Sequence, residues 1–448
     1  MQRRLLCIYP WLTMGGADKF NLDMLSQLHQ RDWEIEIVTT LANEHAWWQS
    51  FAALATRITE IGQLEPAAQP GHMLAAIAAA QPDVVLISHS RLGYALLPYL
   101  RAQHPSVSFV DYNHLVDPDD PQGGYPYTSI QHTASLDMQI VSSQALRDWM
   151  LAHGGDATRI VVCTTNVDDQ LWNSAHFQRA TIRAQLGIPE QAFVGLYAAR
   201  FEAIKQPVQS LEIMRRVVSA CEDAYFLIAG QGSYAPFLRS RIGQVHLEQR
   251  IQLLGALPNE RIRELLAASD MLLLSSRSEG ISLAIYEAMA MGVVPVSVDA
   301  SGQSELVTPQ TGILIKHSAQ DIENYSAAIV RLTQDRQQLH SMGSAARQRI
   351  ALYYRLDQMG DRMHSLLLEA MQRHSAQAPT LVSAQQARDS VQAAIELAEQ
   401  DARWAQAQDR PLARVRRAVR TLYWQLVEQG AWWLVPALER VRAIMARS

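Results

Sequence analysis

Two successive doubly wound α/β domains, followed by a helical tail, are what this sequence predicts, and three observations carry the prediction. Short, almost unbroken apolar runs alternate with helix-length amphipathic stretches through residues 1–173, the pattern of a parallel sheet covered on both faces. The same alternation begins again within residues 174–372. The chain has 448 residues, enough for two or three domains at roughly 150 residues each.

In the first domain the strands are RLLCIY, IEIVTT, DVVLISH, SVSFVDYNH, DMQIVSS and RIVVCTT. Between them ADKFNLDMLSQLHQ, HMLAAIAAAQ, RLGYALLPYLRAQ and QALRDWMLAHGG carry helical spacing. After a joining stretch, the second domain repeats the scheme with AFVGLYAAR, AYFLIAGQG, RIQLLGAL, MLLLSS, VVPVSV and TGILI as strands. Long helices close it at residue 372, residues 373–383 read as a linker, and residues 384–448 form the tail. In such sheets ligands bind beyond the carboxyl ends of the strands, so a cleft faced by both domains is the expected site.

Composition narrows the function class. Hydrophobic residues make up 48% and charged residues 19%, as in ordinary globular proteins. A net charge of −5 gives nucleic-acid binding no support. The three cysteines, Cys7, Cys163 and Cys221, are widely spaced and read as buried thiols of a reducing compartment. The opening MQRRLLCIYPWLTMGG reads as a first strand running into a glycine turn, not as a leader peptide. No run approaches a membrane span. A cytoplasmic protein is expected, peripheral at the inner face of the membrane if the tail binds there.

The chemistry concentrates in three places. SRSEGISLAIYEAMAMG sets Glu279 in a strand-to-helix loop and Glu287 along the helix that follows, with Ser282 near its start and Gly292 as its stop. Arg200 ends the first strand of the second domain and Lys205 stands near the next helix, a forked and a point cation suited to a diphosphate. Gly15 and Gly16 follow the first strand and open a helix, where backbone amides can approach a phosphate or a sugar. Each of these alone also fits a solvated surface.

Together they resemble a family. MGGADKF, RIVVCTTNVDDQLW, AARFEAIKQP, LIAGQGSY and the block LLGALPNERIRELLAASDMLLLSSRSEGISLAIYEAMAMGVVPVSVDASGQSELV are similar, in this order, to the retaining family 4 glycosyltransferases of the GT-B fold (glycosyl transferases group 1). The resemblance covers about residues 1–372. It implies two Rossmann-like domains facing a cleft, and Arg200 and Lys205 on the donor diphosphate, so that no metal or other cofactor is required beyond the UDP- or GDP-sugar co-substrate. It further implies Glu279 on the donor sugar and Glu287 on the ribose. The amides of Gly280, Ile281, Ser282 and Leu283 would meet sugar and phosphate, and the Gly15–Gly16 loop would close over the diphosphate. The family's first-domain histidine maps to His114, with His89 as its rival. Asp18, Ala199 and Gln231 depart from the family's usual Glu, Gly and Asp, and Val167 follows Asn166 without the usual Gly between them. Asp117 and Asp119 form a D-x-D, read as a solvated or acceptor-facing loop and not a metal site.

The resulting expectation is a retaining transferase moving a sugar from a nucleotide sugar to a glycan or lipid-linked saccharide, in bacterial cell-surface polysaccharide assembly. The alternatives are a nucleotide-sugar-binding or assembly protein without catalysis, or another GT-B enzyme such as an epimerase. The tail adds a separate signal. Residues 411–448 hold seven arginines against two glutamates, an apolar stripe from Leu412 to Leu426, and Trp424, Trp432 and Trp433. That composition fits an anionic membrane surface; docking onto the protein's own body or onto a second copy is the competing reading.

Overall fold

The computed structural model describes residues 2–13, 15–376 and 382–409; the basic stretch 411–448 lies outside the described residues. The chain forms two compact units. The first gathers Met1–Asn166 and Leu356–Gln406, and the second is built on Val167–Arg355.

The first unit holds β1 (Arg3–Tyr9), β2 (Trp33–Thr39), β3 (Arg57–Glu60), β4 (Val84–Ile87), β5 (Ser108–Asn113), β6 (Met138–Val141) and β7 (Ile160–Val162) in the order β3-β2-β1-β4-β5-β6-β7. The second holds β8 (Phe193–Ala198), β9 (Ala224–Ala229), β10 (Ile251–Gly255), β11 (Met271–Leu274), β12 (Val294–Val298) and β13 (Ile313–Ile315), ordered β10-β9-β8-β11-β12-β13. Neighbouring strands pair in parallel throughout, as in β1 with β2 and β8 with β9. All twelve strands expected from apolar runs are present. The additional one, β3, reads RITE, pairs only with β2 at the sheet edge and buries none of its residues fully, so no apolar run announced it.

Each sheet starts at an inner strand, grows outward, and then restarts on the other side of that strand. The order therefore switches between β1 and β4 in one unit and between β8 and β11 in the other. Loops leaving the carboxyl ends at such a switch diverge to opposite faces and leave a crevice.

Strand alternation feeds two cores per sheet. Along β1, Leu5, Cys7 and Tyr9 pack with Phe20 and Met24 of the Gly16–His29 helix, while Leu6 and Ile8 join Leu96 and Leu97 of the Arg91–Gln103 helix. The three cysteines are free and buried, and burial pushes the thiols of Cys7 and Cys163 up to about 12.

The domain boundaries differ from those read in the sequence. The Leu356–Ala376 helix, expected to close the second domain, belongs to the first unit, where Met359, Met363, Leu366 and Leu367 are buried against the β1 core. That helix continues through the start of the expected linker to Ala376. The chain leaves the first unit after Asn166, not at residue 173. Arg355 forms an isolated parallel bridge with Val167, so departure and return are adjacent.

The first part of the tail is ordered as the Ala384–Asp409 helix, which packs on the Arg91–Gln103 helix through Val391 and the fully buried Ala394. Pro98 lies inside the Arg91–Gln103 helix and interrupts its hydrogen-bond ladder. Ser390 bridges the neighbouring rung: its hydroxyl donates to the Ala95 carbonyl at 2.6 Å and accepts from the Tyr99 amide at 3.4 Å. Among the described residues no helix is long and apolar enough to cross a membrane.

Candidate functional site

The sequence-predicted residues fall into two groups, one in each unit, and both groups stand at carboxyl ends of strands beside the sheet's switch.

In the second unit, β8 ends at Ala198 and β11 at Leu274, and these two strands flank the switch. The loop after β8 carries Arg200, exposed, and Lys205; the loop after β11 carries Glu279. Lys205 Nζ donates to Glu279 Oε1 at 2.5 Å. The Ser276 hydroxyl donates to the same oxygen at 2.6 Å. Glu279 is 8% exposed, so these two donors, and not bulk water, satisfy that oxygen. Such a pair persists only where geometry is good and the carboxylate is further hydrogen-bonded.

Three ties fix the two loops. The Arg277 amide donates to the Ile204 carbonyl at 2.8 Å, directly joining them. The Tyr197 hydroxyl donates to the Lys205 carbonyl at 3.0 Å, and burial pushes this phenol far up, so it remains a donor. The hydroxyls of Ser210 and Ser275 meet at 2.7 Å.

The Arg200 loop is shaped by the turn after β9. Gly230 (φ 144°) and Gly232 (φ 151°) have backbone angles that other residues rarely adopt. A Cβ on Gly230 would lie 1.9 Å from the Ala199 carbonyl oxygen, and one on Gly232 would lie 2.5 Å from that of Phe201. This close approach lets the Phe201 amide donate to the Gln231 carbonyl at 2.7 Å. Sequence reading took these glycines as part of a strand-end motif; their work on the Arg200 loop becomes visible only in the structure.

The Leu283–Ala290 helix begins next to Glu279. Its N-cap, Ser282, makes no side-chain capping bond. Gly292, at φ 76°, ends the helix as expected. Glu287 is half-buried in the second turn.

In the first unit, His89 follows β4 and His114 follows β5, with β4 the strand laid beside β1 at the switch. The structure places the two histidines together. Their rings meet edge-on with centroids 4.7 Å apart. His114 also contacts Phe20 at 5.2 Å and Tyr112 at 4.7 Å, and its Nε2 lies 3.4 Å from the Ser88 hydroxyl. Tyr125 stacks on the other side of His89 at 4.9 Å. His89 has φ 56°, a left-handed turn that re-aims its side chain toward His114 and that sequence spacing cannot show.

Gly15 precedes the Gly16–His29 helix with an extended backbone, at φ −161°. What crowds it is Asp18, whose carboxylate oxygen would lie 2.9 Å from an added Cβ. Asp18 sits in the first turn of the Gly16–His29 helix and already places a negative charge at that positive end. Asp117 and Asp119 stay in the loop after His114, where Asp117 accepts from the Asp119 amide at 2.9 Å. Among the described residues no group of three or more His, Cys, Asp or Glu is placed to hold a metal.

Burial holds both histidines neutral. His89 is lowered to about 4, and His114 is held well below 6.5, with the neighbouring His89 adding to the effect. The unfolded chain therefore takes up protons that the folded chain refuses, and stability falls as pH drops from about 6.5 towards about 4. Asp111 opposes this: burial raises it from 3.8 to about 6, so its contribution is full below 3.8 and is lost as pH rises through about 6. Substituting His89→Asn, which tolerates the left-handed turn, is expected to flatten the acid slope by about 1.4 kcal/mol per pH unit. Urea midpoints measured at several pH values check this; an unchanged slope would mean that His89 is protonated in the folded state.

Residues 178–349 match the family described as Glycosyl transferases group 1. That segment contains Arg200, Lys205, Gly280, Ile281 and both site glutamates, and leaves out Gly15, Gly16 and His114. The chain is 28% identical over 196 residues to a GDP-mannose-dependent monoacylated alpha-(1-6)-phosphatidylinositol monomannoside mannosyltransferase of Corynebacterium glutamicum, covering 42% of this chain and 50% of that one. It is 27% identical over 218 residues to a UDP-Gal:alpha-D-GlcNAc-diphosphoundecaprenol alpha-1,3-galactosyltransferase of Escherichia coli, covering 48% and 55%. It thus spans about half the length of these curated relatives. Among solved structures, Anabaena HepE in complex with UDP aligns over 82% of this chain and 100% of its own, with a TM-score of 0.69 at 18% identity. That likeness is one of fold, and the fold is GT-B.

Proposed function

Because residues 178–349 belong to the glycosyl transferases group 1, we propose that the whole chain is a retaining glycosyltransferase. It would take a nucleotide sugar as donor and a glycan or lipid-linked saccharide as acceptor, in bacterial cell-surface polysaccharide assembly. The observation that carries the reading is the Lys205–Glu279 pair, tied across the loops that leave β8 and β11.

The roles follow from charge and position. Arg200 and Lys205 meet the donor's diphosphate and neutralise the charge that grows on it as the sugar leaves, which is where preorganised cations accelerate such a step. Glu279, bonded by Lys205 and Ser276 at one carboxylate oxygen, accepts through the other and orients the sugar's hydroxyls. A diphosphate would draw on Lys205 donors that Glu279 leaves over, since an ammonium has three. The amides of Gly280 to Leu283 receive sugar and phosphate oxygens at a helix start, and Glu287 accepts from the ribose. Lysine and arginine carry the charge, and the donor is a co-substrate, so no further cofactor is invoked.

In the first unit His114 acts on the acceptor side as a neutral imidazole, with His89, Phe20 and Tyr112 fixing its ring. Asp18 competes with a phosphate for the helix start beside it, so Gly15 and Gly16 serve by admitting a sugar close to the backbone more than by anchoring the diphosphate. The protein works in the cytoplasm.

The reading is tested by nucleotide release from UDP-, GDP- and ADP-sugars in the presence of bacterial membrane extract, comparing wild type with Glu279→Ala. Acceptor-dependent release from one donor, lost in the variant, supports the transferase and names its donor. Binding of a nucleotide sugar with no release from any of them would favour the alternative of a non-catalytic binding protein.

A further inference from the structure

We propose that His317 is a protonation-dependent positioning residue for the donor loops. As an imidazolium it clasps the loop that carries Glu279, and on losing a proton it lets that loop go. Its bearing on sugar transfer rests on the transferase reading; the clasp itself does not.

The ring's partners fix its charge. His317 stands two residues past β13. Its Nδ1 lies 3.0 Å from Asp321 Oδ2, and its Nε2 lies 2.9 Å from the Arg277 carbonyl oxygen. A carboxylate and a carbonyl only accept, so each nitrogen has to donate, and an imidazole that donates twice carries both protons. Asp321 is itself held in place. It is the first residue of the Asp321–Gln334 helix, is 13% exposed, and accepts from the Ser318 amide at 2.6 Å through its other oxygen. The bond to Asp321 outweighs the cost of partial burial, the Arg277 carbonyl adds to it, and His317 is held above 6.5. The segments that meet here also carry Lys316 beside the ring, Asp299 just past β12 and the Arg277 guanidinium. Of these charged groups, the Asp321 carboxylate bonds the ring.

The carbonyl that the ring holds belongs to the hub of the donor loops. Arg277 follows Ser276, whose hydroxyl bonds Glu279, and the Arg277 amide donates to the carbonyl of Ile204, the residue before Lys205. Through one carbonyl, His317 therefore grips the segment that joins both members of the Lys205–Glu279 pair. Loss of a proton reverses the grip. The carboxylate is the stronger acceptor, so the remaining proton stays on Nδ1. Nε2 then turns a lone pair on the Arg277 carbonyl oxygen 2.9 Å away, and attraction becomes repulsion. A folded-state value raised above 6.5 means that the clasp is complete below 6.5 and is lost as pH rises through the raised value. Burial moves His89 and His114 the other way, so the two units answer pH through different histidines.

The test follows the Arg277 amide by hydrogen exchange in the full chain from about pH 6 to about pH 9, a range that brackets a raised histidine. The charge of His317 is read in parallel from its ring nitrogen resonances. Once intrinsic base catalysis is divided out, protection of that amide is expected to fall about ten-fold as the ring deprotonates, the scale of one hydrogen bond to a charged group. His317→Ala, at a side chain 43% exposed, is expected to show the lower protection at every pH. Asp321→Asn keeps an acceptor for the Ser318 amide but removes the charge, and is expected to move the midpoint to lower pH. A ring already neutral at the acid end of the range overturns the imidazolium. Protection that does not follow the ring, or a midpoint that Asp321→Asn leaves in place, overturns the clasp. In the nucleotide-release assay the donor KM is expected to rise over the same range in wild type, and the rise is expected to be absent from His317→Ala. A level KM in wild type overturns the link from clasp to donor. Failure of the transferase reading would look different: no release from any donor, while protection of the amide still tracks the ring.

Discussion

Replacing Lys205 by alanine is expected to lower sugar transfer by about 10²- to 10³-fold, the usual cost of removing one preorganised charge from a site of growing negative charge. The fold should survive. Lys205 is 21% exposed and reaches its partner from a loop whose ties run through the backbone of Ile204 and Arg277 and through the Tyr197 hydroxyl. None of these needs the lysine side chain. What the variant does leave behind is Glu279, mostly buried, with Ser276 as its remaining partner among these donors. The stability cost of that is on the order of 1 kcal/mol, because the pair is partly open to solvent. Ser276→Ala separates the two effects. It removes a bond to the same carboxylate oxygen but leaves the cation, so its loss of activity should stay near ten-fold, the scale of one hydrogen bond to a charged group. Steady-state rates and thermal midpoints for both variants check this. Unchanged rates in Lys205→Ala would take Lys205 out of the diphosphate site.

Gly230→Ala is expected to be the most damaging single-methyl change at the donor loops, at roughly 2–5 kcal/mol when backbone strain and overpacking combine. The new Cβ would sit 1.9 Å from the Ala199 carbonyl oxygen, a backbone atom that cannot rotate aside. Either the turn after β9 or the loop carrying Arg200 has to move. Thermal stability should fall by several degrees, and donor affinity should weaken with it, because Arg200 is on the loop that is pushed. Gly187→Ala is the comparison. Gly187 has φ 67° but nothing within 4 Å of its Cβ position, so only the conformational cost remains, about 1 kcal/mol. Differential scanning calorimetry together with donor titration distinguishes the two. Equal effects in both variants would mean that the Arg200 loop yields freely.

These contrasts show which parts of the molecule were legible in the sequence. Strands such as β4 and β11 bury every residue they have and so announce themselves as apolar runs. The loops bearing Lys205 and Glu279 were legible because their residue types recur in a recognisable order. The helix around Met363 and Leu366 showed that it buries one face, but a stripe does not say which of two sheets will cover it. Only three-dimensional contact could reveal the rest. Ser390 reads as one more polar tail residue until it is seen bridging the helix beside Pro98. That His89 and His114 touch was not legible, because the left-handed turn at His89 that aims the two rings at one another has no signature in spacing. Gly15 was read as letting backbone amides approach a phosphate or a sugar, and that the Asp18 carboxylate lies against it became visible only in the structure.

The discontinuity of the first unit bears on how the polypeptide is made. During synthesis the amino-terminal 166 residues emerge first, but the face of their sheet that receives Met359, Met363, Leu366 and Leu367 stays uncovered until some 200 later residues have left the ribosome. Each of those four side chains is worth about 1.5–3 kcal/mol when buried, a large share of what holds an average domain together. The earlier segment is thus finished after the later one, and Val167–Arg355 of the second unit matures inside an interrupted neighbour. A nascent chain of this kind presents a greasy sheet face to solvent for the whole time its partner is being read, which makes it a natural client for chaperones that wait at the tunnel exit.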